Sequence, residues 1–167
     1  VVSRGELQRS LEAGFNPNKI IFEGVGKSKN DIEFALNNNI RQINVESIEE
    51  LKLINEVAHS LKISANIGIR FNPDIDALTL DKITTGRKKD KFGINLDQIN
   101  EICLLIKDSK NINVKGISCH IGSQINDPNI YEKVFIKMKQ ASEIMEQQDL
   151  KINHLDLGGG FGVTYEN

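Results

Sequence analysis

The chain of 167 residues is long enough for one domain or part of a larger one, and 39% hydrophobic and 26% charged residues are typical of a soluble globular protein. The formal net charge of -2 gives no reason to expect nucleic acid or a membrane surface as the main partner, and no apolar run could span a bilayer. The two cysteines form no motif, so a reduced, cytoplasmic protein is the default expectation.

The first sixty residues, roughly, repeat one local pattern three times. An apolar strand ends, a serine follows, and an acidic residue stands three positions later. In such a capping box the serine hydroxyl accepts a hydrogen bond from the third residue's N–H, and the acidic side chain reaches back. Successive strand–helix units of this kind predict a parallel sheet. The capping serines are Ser3, Ser28 and Ser47.

The rest of the chain continues the alternation with longer loops. Asp97 is predicted to cap one further helix, and a long amphipathic helix is predicted over 129–147. The polar stretch 72–91 has the length of a functional or mobile loop. The six predicted strands, the first only a stub, are residues 1–2, 19–22, 42–45, 63–71, 114–119 and 152–157.

This alternation fits either an open doubly wound sheet or an arc of a (β/α)₈ barrel. The barrel is favoured because the late glycine-rich loop lacks the G-x-G-x-x-G spacing of a dinucleotide site. A complete barrel needs about 250 residues. Residues 1–167 are therefore expected to form one incomplete barrel domain, with open edges.

Residues 156–162 carry four glycines in five positions, directly after the last predicted strand. Because glycine has no Cβ, the backbone can turn sharply and its N–H groups can approach a ligand oxygen closely. Several amides in a compact nest suit a phosphate. The alternative interpretation is that the glycines form only a turn, since isolated glycine motifs are weak evidence.

Polar side chains stand where several predicted strands end, which is where α/β proteins bind ligands. Arg70 pairs either with an anion in the barrel mouth or with a neighbouring carboxylate such as Glu46. His120 is either a structural histidine or a ring that lies against a planar ligand. Together with the hydroxyl of Ser123 and the glycine amides, it would suit an aromatic cofactor that bears a phosphate.

Two other classes of site lack support. Residues 24–28 superficially resemble a P-loop but do not have its spacing, and no acidic pair for Mg²⁺ is evident. The three histidines and two cysteines show no metal-ligand spacing, so no metal site is expected.

Four motifs stand in order along the chain: VSRGEL at 2–7, KFGI at 91–94, HIGSQ at 120–124 and DLGGGFG at 156–162. Together they resemble the diaminopimelate decarboxylases, which belong to the fold-type III pyridoxal-phosphate decarboxylases and are similar to ornithine and arginine decarboxylases. The resemblance covers essentially the whole chain. Residues 72–74 and 84–86 also fit the diaminopimelate branch, and Gln124 favours it over the ornithine branch.

The resemblance implies an α/β fold, namely about strands 2 to 7 of 8 of an alanine racemase-like TIM-type barrel that binds pyridoxal 5'-phosphate. It further implies that His120 stacks on the pyridine ring and that Arg70 lies beneath the cofactor, in the hydrogen-bond network around His120. The implied phosphate-binding residues are Ser123, Gly158, Gly159, Gly160 and Gly162.

The implied activity is decarboxylation of meso-diaminopimelate to L-lysine by a cytoplasmic homodimer whose sites are shared between subunits, with Lys91 near the interface. In the resembled family the Schiff-base lysine precedes the segment matched by Val1. A glutamate facing the pyridinium nitrogen, a substrate-binding arginine and a C-terminal β domain follow the matched segment. This chain is therefore expected to belong to a longer enzyme, to contain no catalytic residue and to be inactive alone.

Three alternatives remain open. The chain could be a non-catalytic, one-domain barrel of pyridoxal-phosphate homeostasis, an ornithine- or arginine-type decarboxylase, or a degenerate product that binds nothing. The role of Leu80-Asp81-Lys82 is also open, since the resembled family often has His-Pro-Tyr there.

Overall fold

A computed structural model describes residues 1–75 and 92–163, in which helices alternate with the strands of one parallel sheet. The sheet order is β1-β2-β3-β5-β6, and the short β4 pairs with the end of β3. This arrangement confirms the predicted α/β class. The strands are β1 (Ile21–Phe22), β2 (Gln42–Val45), β3 (Ala65–Asn72), β4 (Ile94–Asn95), β5 (Ile112–Ser118) and β6 (His154–Asp156).

The helices pack on one face of this sheet and bury its aliphatic side chains. Ile43, Ile67 and Ile117, on three neighbouring strands, are almost completely buried against Leu51 of α3 and other helical residues. Short 3₁₀ turns occupy Pro17–Lys19 and Leu96–Gln98. The α-helices are α1 (Arg4–Glu12), α2 (Lys29–Asn37), α3 (Ile48–Leu61), α4 (Ile99–Asp108) and α5 (Pro128–Glu146).

The predicted capping pattern is complete at α2 and partial at α1. The Ser28 hydroxyl accepts from the amide of Asp31, whose carboxylate accepts from the amide of Ser28. At α1 the Ser3 hydroxyl accepts from Glu6, but the Glu6 carboxylate accepts from the amide of Val2 at 2.7 Å. The serine caps are confirmed, and the acidic partner of α1 reaches one residue further back.

Two other capping predictions need correction. The Ser47 hydroxyl accepts from the amide of Glu50 at 3.1 Å, and the Glu50 carboxylate reaches back to the amide of Glu46 at 3.3 Å, but the same carboxylate oxygen also accepts from Lys27 at 2.8 Å. The prediction that Asp97 caps a helix is wrong, because Asp97 lies inside the 3₁₀ turn and α4 begins at Ile99 without a side-chain cap.

The predicted strands are also adjusted at their ends. A 3₁₀ turn takes the start of the segment predicted over 19–22. Residues 1–2 are not a strand, although the Val1 amino group donates to the Ile21 carbonyl at 2.9 Å and the Val1 carbonyl accepts from Glu23 at 2.8 Å. The sixth strand of the described sheet is instead β4, whose Ile94 is buried.

The sheet face away from the helices is polar, which distinguishes it from the aliphatic face. Gln42 donates to the side chain of Asn44 at 2.6 Å, and Asn44 donates to the hydroxyl of Ser118 at 3.0 Å. Gly68 provides the room for this network, because the Gln42 and Asn44 side chains lie where a Cβ would stand. The face away from the helices therefore carries hydrogen-bonding groups towards the carboxyl ends of the strands.

Candidate functional site

A cavity of about 630 Å³ opens at the carboxyl ends of the strands. Its walls come from the loop after β1, the end of β3, the residues after β5 and the loop after β6. The carboxyl ends of a parallel sheet are the usual ligand site of α/β proteins. The titratable residues in its walls are Glu23, Arg70, Cys119, His120 and Asp156.

The glycine-rich loop forms one wall of the cavity and has a backbone that requires glycine. Gly158 has φ +74° and Gly160 has φ +92°, both in the left-handed region. A Cβ on Gly158 would stand 2.6 Å from the carbonyl oxygen of Cys119. The absence of side chains thus brings this backbone close to the segment that follows β5.

The loop presents a short run of amides that have no hydrogen-bond acceptor among the described residues. Gly158 donates to the Asp156 carboxylate at 2.8 Å, and Gly162 donates to the Ile125 carbonyl at 3.0 Å. Between them, the amides of 159–161 make no hydrogen bond within the described ranges. Consecutive backbone donors of this kind suit the oxygens of a phosphate. We call residues 158–162 the glycine cradle.

The loop after β5 is joined to the glycine cradle by hydrogen bonds in both directions. The Ile125 amide donates to the Gly160 carbonyl at 2.9 Å, complementing the bond that Ile125 accepts from Gly162. The Gln124 side chain accepts from the amide of Val163 at 3.1 Å. These bonds bring together the motifs HIGSQ and DLGGGFG, which lie more than thirty residues apart in the chain.

Helix α5 supports the cradle from the outside. The Tyr131 hydroxyl donates to the Gly159 carbonyl at 2.9 Å, and its ring stacks on Phe161 with centroids 4.6 Å apart. Both contacts are to residues of the cradle, so they fix its backbone without using the free amides. Tyr131 is not among the predicted site residues, because its helical position gives no signal of this role in the sequence.

His120 lies in the cavity wall as a half-buried ring. Burial lowers the pKa of His120, the nearby Arg70 guanidinium lowers it further, and Asp156 opposes the shift. The ring is therefore neutral at physiological pH, as suits stacking against a planar group. Its place beside Gly158 and Gly159 agrees with the predicted pairing of histidine and glycine loop.

Arg70 lines the cavity but already has an anionic partner. Its Nη1 lies 2.7 Å from Oε1 of Glu46, and both side chains are largely buried. Its guanidinium also lies over the ring of Phe92, with Cζ 5.5 Å from the centroid. Of the two partners that the sequence left open for Arg70, the structure shows the carboxylate of Glu46. Arg70 also lies in the cavity wall.

A buried lysine fixes the opposite wall. Lys27 donates to the carbonyls of Gly24 and Asn44 at 2.6 and 2.7 Å and to the Glu50 carboxylate at 2.8 Å. Burial raises the pKa of Glu50, and Lys27 opposes this shift. Because Gly24 and Val25 line the cavity, this lysine holds the loop after β1 against β2 and α3.

Two further cavity residues, both absent from the predicted site, have shifted ionisation. Burial raises the pKa of Glu23, whose carboxylate accepts from the Asn44 side chain. Burial, with the nearby Asp156 carboxylate, raises the pKa of Cys119 to about 12, so its thiol stays protonated. The position of Glu23 at a strand end was the signal that could have identified it.

The predicted site residues divide into two groups. Arg70, His120, Gly158 and Gly159 line the cavity. Ser123, Gly160 and Gly162 are not among its lining residues; a Cβ on Gly160 would stand 3.1 Å from the Cα of Ser123, and a Cβ on Gly162 would meet the side chain of Asn126. The participation of each in ligand binding stays a prediction. The segments at 84–86, at 80–82 and around Lys91 lie outside the described residues.

Two classes of site are absent from the described ranges. No described helix is both long and apolar enough to cross a membrane. No group of three or more histidine, cysteine or acidic side chains within 1–75 and 92–163 could hold a metal ion.

The sequence profile of the family "Pyridoxal-dependent decarboxylase, pyridoxal binding domain" matches residues 1–167. The chain belongs to this family. Diaminopimelate decarboxylase from Haemophilus influenzae is 42% identical over 165 residues, which cover 99% of this chain and 40% of that relative. The enzyme of the same name from Helicobacter pylori strain J99 is 44% identical over 166 residues, which cover 99% of this chain and 41% of that relative.

Solved structures give the same result. Diaminopimelate decarboxylase from Helicobacter pylori complexed with L-lysine matches with a TM-score of 0.96 and 43% identity, over 99% of this chain and 42% of that one. The M. jannaschii diaminopimelate decarboxylase in co-complex with L-lysine matches with a TM-score of 0.90 and 36% identity, over 100% of this chain and 39% of that one.

These comparisons confirm the predicted resemblance and the predicted fold, an arc of the pyridoxal-binding barrel of these decarboxylases. A pyridoxal cofactor is confirmed for the family by its description. The chain spans about two fifths of the length of the curated relatives it matches.

Proposed function

We propose that this chain is the cofactor-binding barrel portion of an enzyme that decarboxylates meso-diaminopimelate to L-lysine. The observation that carries the proposal is the position of His120 and the glycine cradle in the wall of one cavity. Supporting it are relatives named diaminopimelate decarboxylase and a neighbour crystallised with L-lysine, at 43% identity over 99% of this chain.

The residues present fit a pyridoxal phosphate. The amides of residues 159–161 provide donors for a phosphate, and the space beside Gly159 is open, since a Cβ there would meet nothing within 4 Å. His120 is the neutral ring against which a pyridine can lie. A cavity of about 630 Å³ is of the size usual for small-molecule sites.

Bound pyridoxal phosphate supplies the electron sink for the carbanion left by the loss of CO₂. The chain's own residues bind and orient it. The cradle amides hold the phosphate, and Tyr131 fixes the cradle through the Gly159 carbonyl. The Arg70–Glu46 pair keeps the guanidinium in place beside His120 and thereby keeps that imidazole uncharged.

The proposal extends to a homodimer in the cytoplasm. The resemblance implies sites shared between subunits, and reduced cysteines at buried positions agree with a reducing compartment. Sedimentation of the longest protein that contains this chain tests the dimer, which a single monomeric species would contradict.

The reaction is tested on that same protein, loaded with pyridoxal phosphate and offered meso-diaminopimelate, L-ornithine or L-arginine. The expected result is CO₂ release and L-lysine formation from meso-diaminopimelate only. Release of CO₂ from ornithine or arginine instead would support the runner-up decarboxylases. Cofactor binding without CO₂ release from any of the three would support the non-catalytic homeostasis protein.

A further inference from the structure

Residues 92–94, the described part of the KFGI motif, run beside the end of β3 and have no role in the proposed function so far. Gly93 has φ +77°, and a Cβ there would stand 2.9 Å from the carbonyl oxygen of Arg70. Glycine at this position therefore lets the segment approach the backbone of β3 closely. The preceding residue, Phe92, lines the same cavity as Arg70.

The ion pair of Arg70 with Glu46 holds the guanidinium by a single contact. Nη1 lies 2.7 Å from Oε1 of Glu46, whereas the buried Oε2 has no hydrogen-bond partner among the described residues. Two parallel hydrogen bonds to a carboxylate would fix the plane of an arginine fork. One bond leaves the guanidinium free to turn about it, so its orientation in the cavity wall depends on a second contact.

The ring of Phe92 provides that second contact. Cζ of Arg70 lies 5.5 Å from the ring centroid, which is within the range of a cation–π interaction. Guanidinium groups stack on aromatic faces more readily than ammonium groups do. The ring is half-buried and the Arg70 side chain is only 10% exposed, so water weakens the attraction little. The Glu46 carboxylate and the Phe92 ring together determine where the guanidinium lies.

We propose that Phe92 is a positioning residue of the cofactor site, which acts through Arg70 by fixing its guanidinium in the cavity wall. This inference rests on the proposed function, which it deepens by giving the KFGI motif a role. The link to the site is the guanidinium itself, which lines the cavity and lowers the pKa of the His120 ring. A displaced guanidinium would change both the charge beside His120 and the shape of the wall.

Two substitutions separate the aromatic face of Phe92 from its bulk. Phe92→Leu keeps an apolar side chain without a π face, and Phe92→Tyr keeps the face that a cation contacts. The matched control is Phe34→Leu, because Arg4 lies over the Phe34 ring with Cζ 4.8 Å from the centroid, outside the cavity. The control removes the same kind of contact without touching the site.

The first readout is the pH titration of the His120 ring by NMR in the unliganded chain. The charged groups that act on this ring are Arg70, which lowers its pKa, and Asp156, which raises it. Phe92→Leu should raise the midpoint towards the ordinary 6.5, because the guanidinium is released. Phe92→Tyr and Phe34→Leu should keep the midpoint of the unsubstituted chain. Weaker packing with the guanidinium in place would leave the midpoint where it is.

The second readout is the affinity for pyridoxine 5'-phosphate, measured by titration calorimetry. This ester has no aldehyde, so it does not bond covalently to a lysine. Phe92→Leu should bind it about fivefold more weakly, in the range expected for the loss of one partly buried cation–π contact. Phe92→Tyr should restore the affinity, and Phe34→Leu should bind like the unsubstituted chain.

An unmoved or lowered His120 midpoint in Phe92→Leu would overturn the inference, as would undiminished affinity for the ester. A Phe92→Tyr chain that behaves like Phe92→Leu would also overturn it. Thermal unfolding verifies that each variant is folded, and Phe92→Met replaces Phe92→Leu if the latter does not fold. Failure of the unsubstituted chain to bind the ester would overturn the proposed function itself, and the inference with it, whereas normal binding with an unmoved midpoint would overturn the inference alone.

Discussion

Tyr131 of α5 is hydrogen-bonded to the backbone of Gly159 across 2.9 Å and is stacked on Phe161. Two of the three residues whose amides are free for a ligand are thus held by one side chain. The helix thereby fixes the spacing of the donors, which a glycine-rich loop could not maintain alone.

Tyr131→Phe removes this hydrogen bond and retains the ring. We expect affinity for pyridoxine 5'-phosphate to fall about fivefold, the equivalent of about 1 kcal/mol for one hydrogen bond. The unfolding temperature should change little, because the stacking on Phe161 is preserved. Titration calorimetry measures the affinity, and a variant with undiminished affinity would show that the cradle is ordered without Tyr131.

The ion pair of Lys27 and Glu50 predicts a large loss of stability when it is broken. Both side chains are buried, at 1% and 7% exposure, and the nitrogen–oxygen distance is 2.8 Å. Lys27→Met would leave the Glu50 carboxylate buried without its cation, which costs about 3–5 kcal/mol of unfolding free energy. Chemical denaturation of the variant measures this loss.

Lys29→Met is the matched control for that experiment. Lys29 forms an exposed pair with Glu33 at 4.0 Å, and such pairs contribute at most about 1 kcal/mol. Equal stabilities of the Lys27→Met and Lys29→Met chains would contradict a structural role for the buried pair.

The same hydrogen bonds predict that Lys27 does not react with an aldehyde. Its amino group donates to three oxygens, those of Gly24, Asn44 and Glu50. After incubation with pyridoxal phosphate and reduction by borohydride, peptide mapping should find no adduct on Lys27. A stoichiometric adduct there would refute the expectation that this lysine is structural and would make it a candidate Schiff-base residue.

The lowered pKa of His120 predicts a pH effect of defined sign. Between that lowered value and the ordinary value of 6.5, the unfolded chain binds more protons at this site than the folded chain. The contribution of His120 to stability is therefore present above pH 6.5 and is lost as the pH falls through this window. Glu23 and Glu50, whose pKa values burial raises above the ordinary 4.5, act in the opposite direction, since their contribution is lost as the pH rises through the raised values.

NMR titration of the His120 ring measures this shift directly, with the resonance assigned by its absence in His120→Gln. A midpoint below 6.5 is expected. A midpoint at or above 6.5 would show that Asp156, which raises the pKa, outweighs burial and Arg70.

The local features of the fold were accessible from the sequence because they depend on neighbouring residues. The serine caps at Ser3, Ser28 and Ser47 all form, since each needs only an amide three positions away. Asp97 failed as a cap because the chain enters α4 through a 3₁₀ turn, which is set by the pairing of β4 with β3.

The tertiary partners were not accessible, because nothing local specifies them. Glu50 accepts from the Glu46 amide as its spacing at the helix start suggests, but it also binds Lys27, twenty-three positions away. Tyr131 and Gly159 are twenty-eight positions apart and meet only because α5 packs beside the loop after β6. The glycine-rich loop itself was recognisable, because its four glycines stand together in the sequence directly after a strand.

The measurement that tests the central claim most directly is binding of pyridoxal phosphate by Gly159→Ala, with Gly5→Ala as control. Neither glycine has a positive φ, and an added Cβ has no protein contact within 4 Å at Gly159 and only the Ser3 hydroxyl at 4.0 Å at Gly5. Both variants should therefore fold, but the Gly159 methyl group would occupy the space beside the cradle amides.

A spectrophotometric titration should show that Gly5→Ala binds like the unsubstituted chain and that Gly159→Ala binds at least about tenfold more weakly, because charge-assisted hydrogen bonds to the phosphate are lost. Equal binding by all three chains would contradict the assignment of residues 158–162 as the phosphate site.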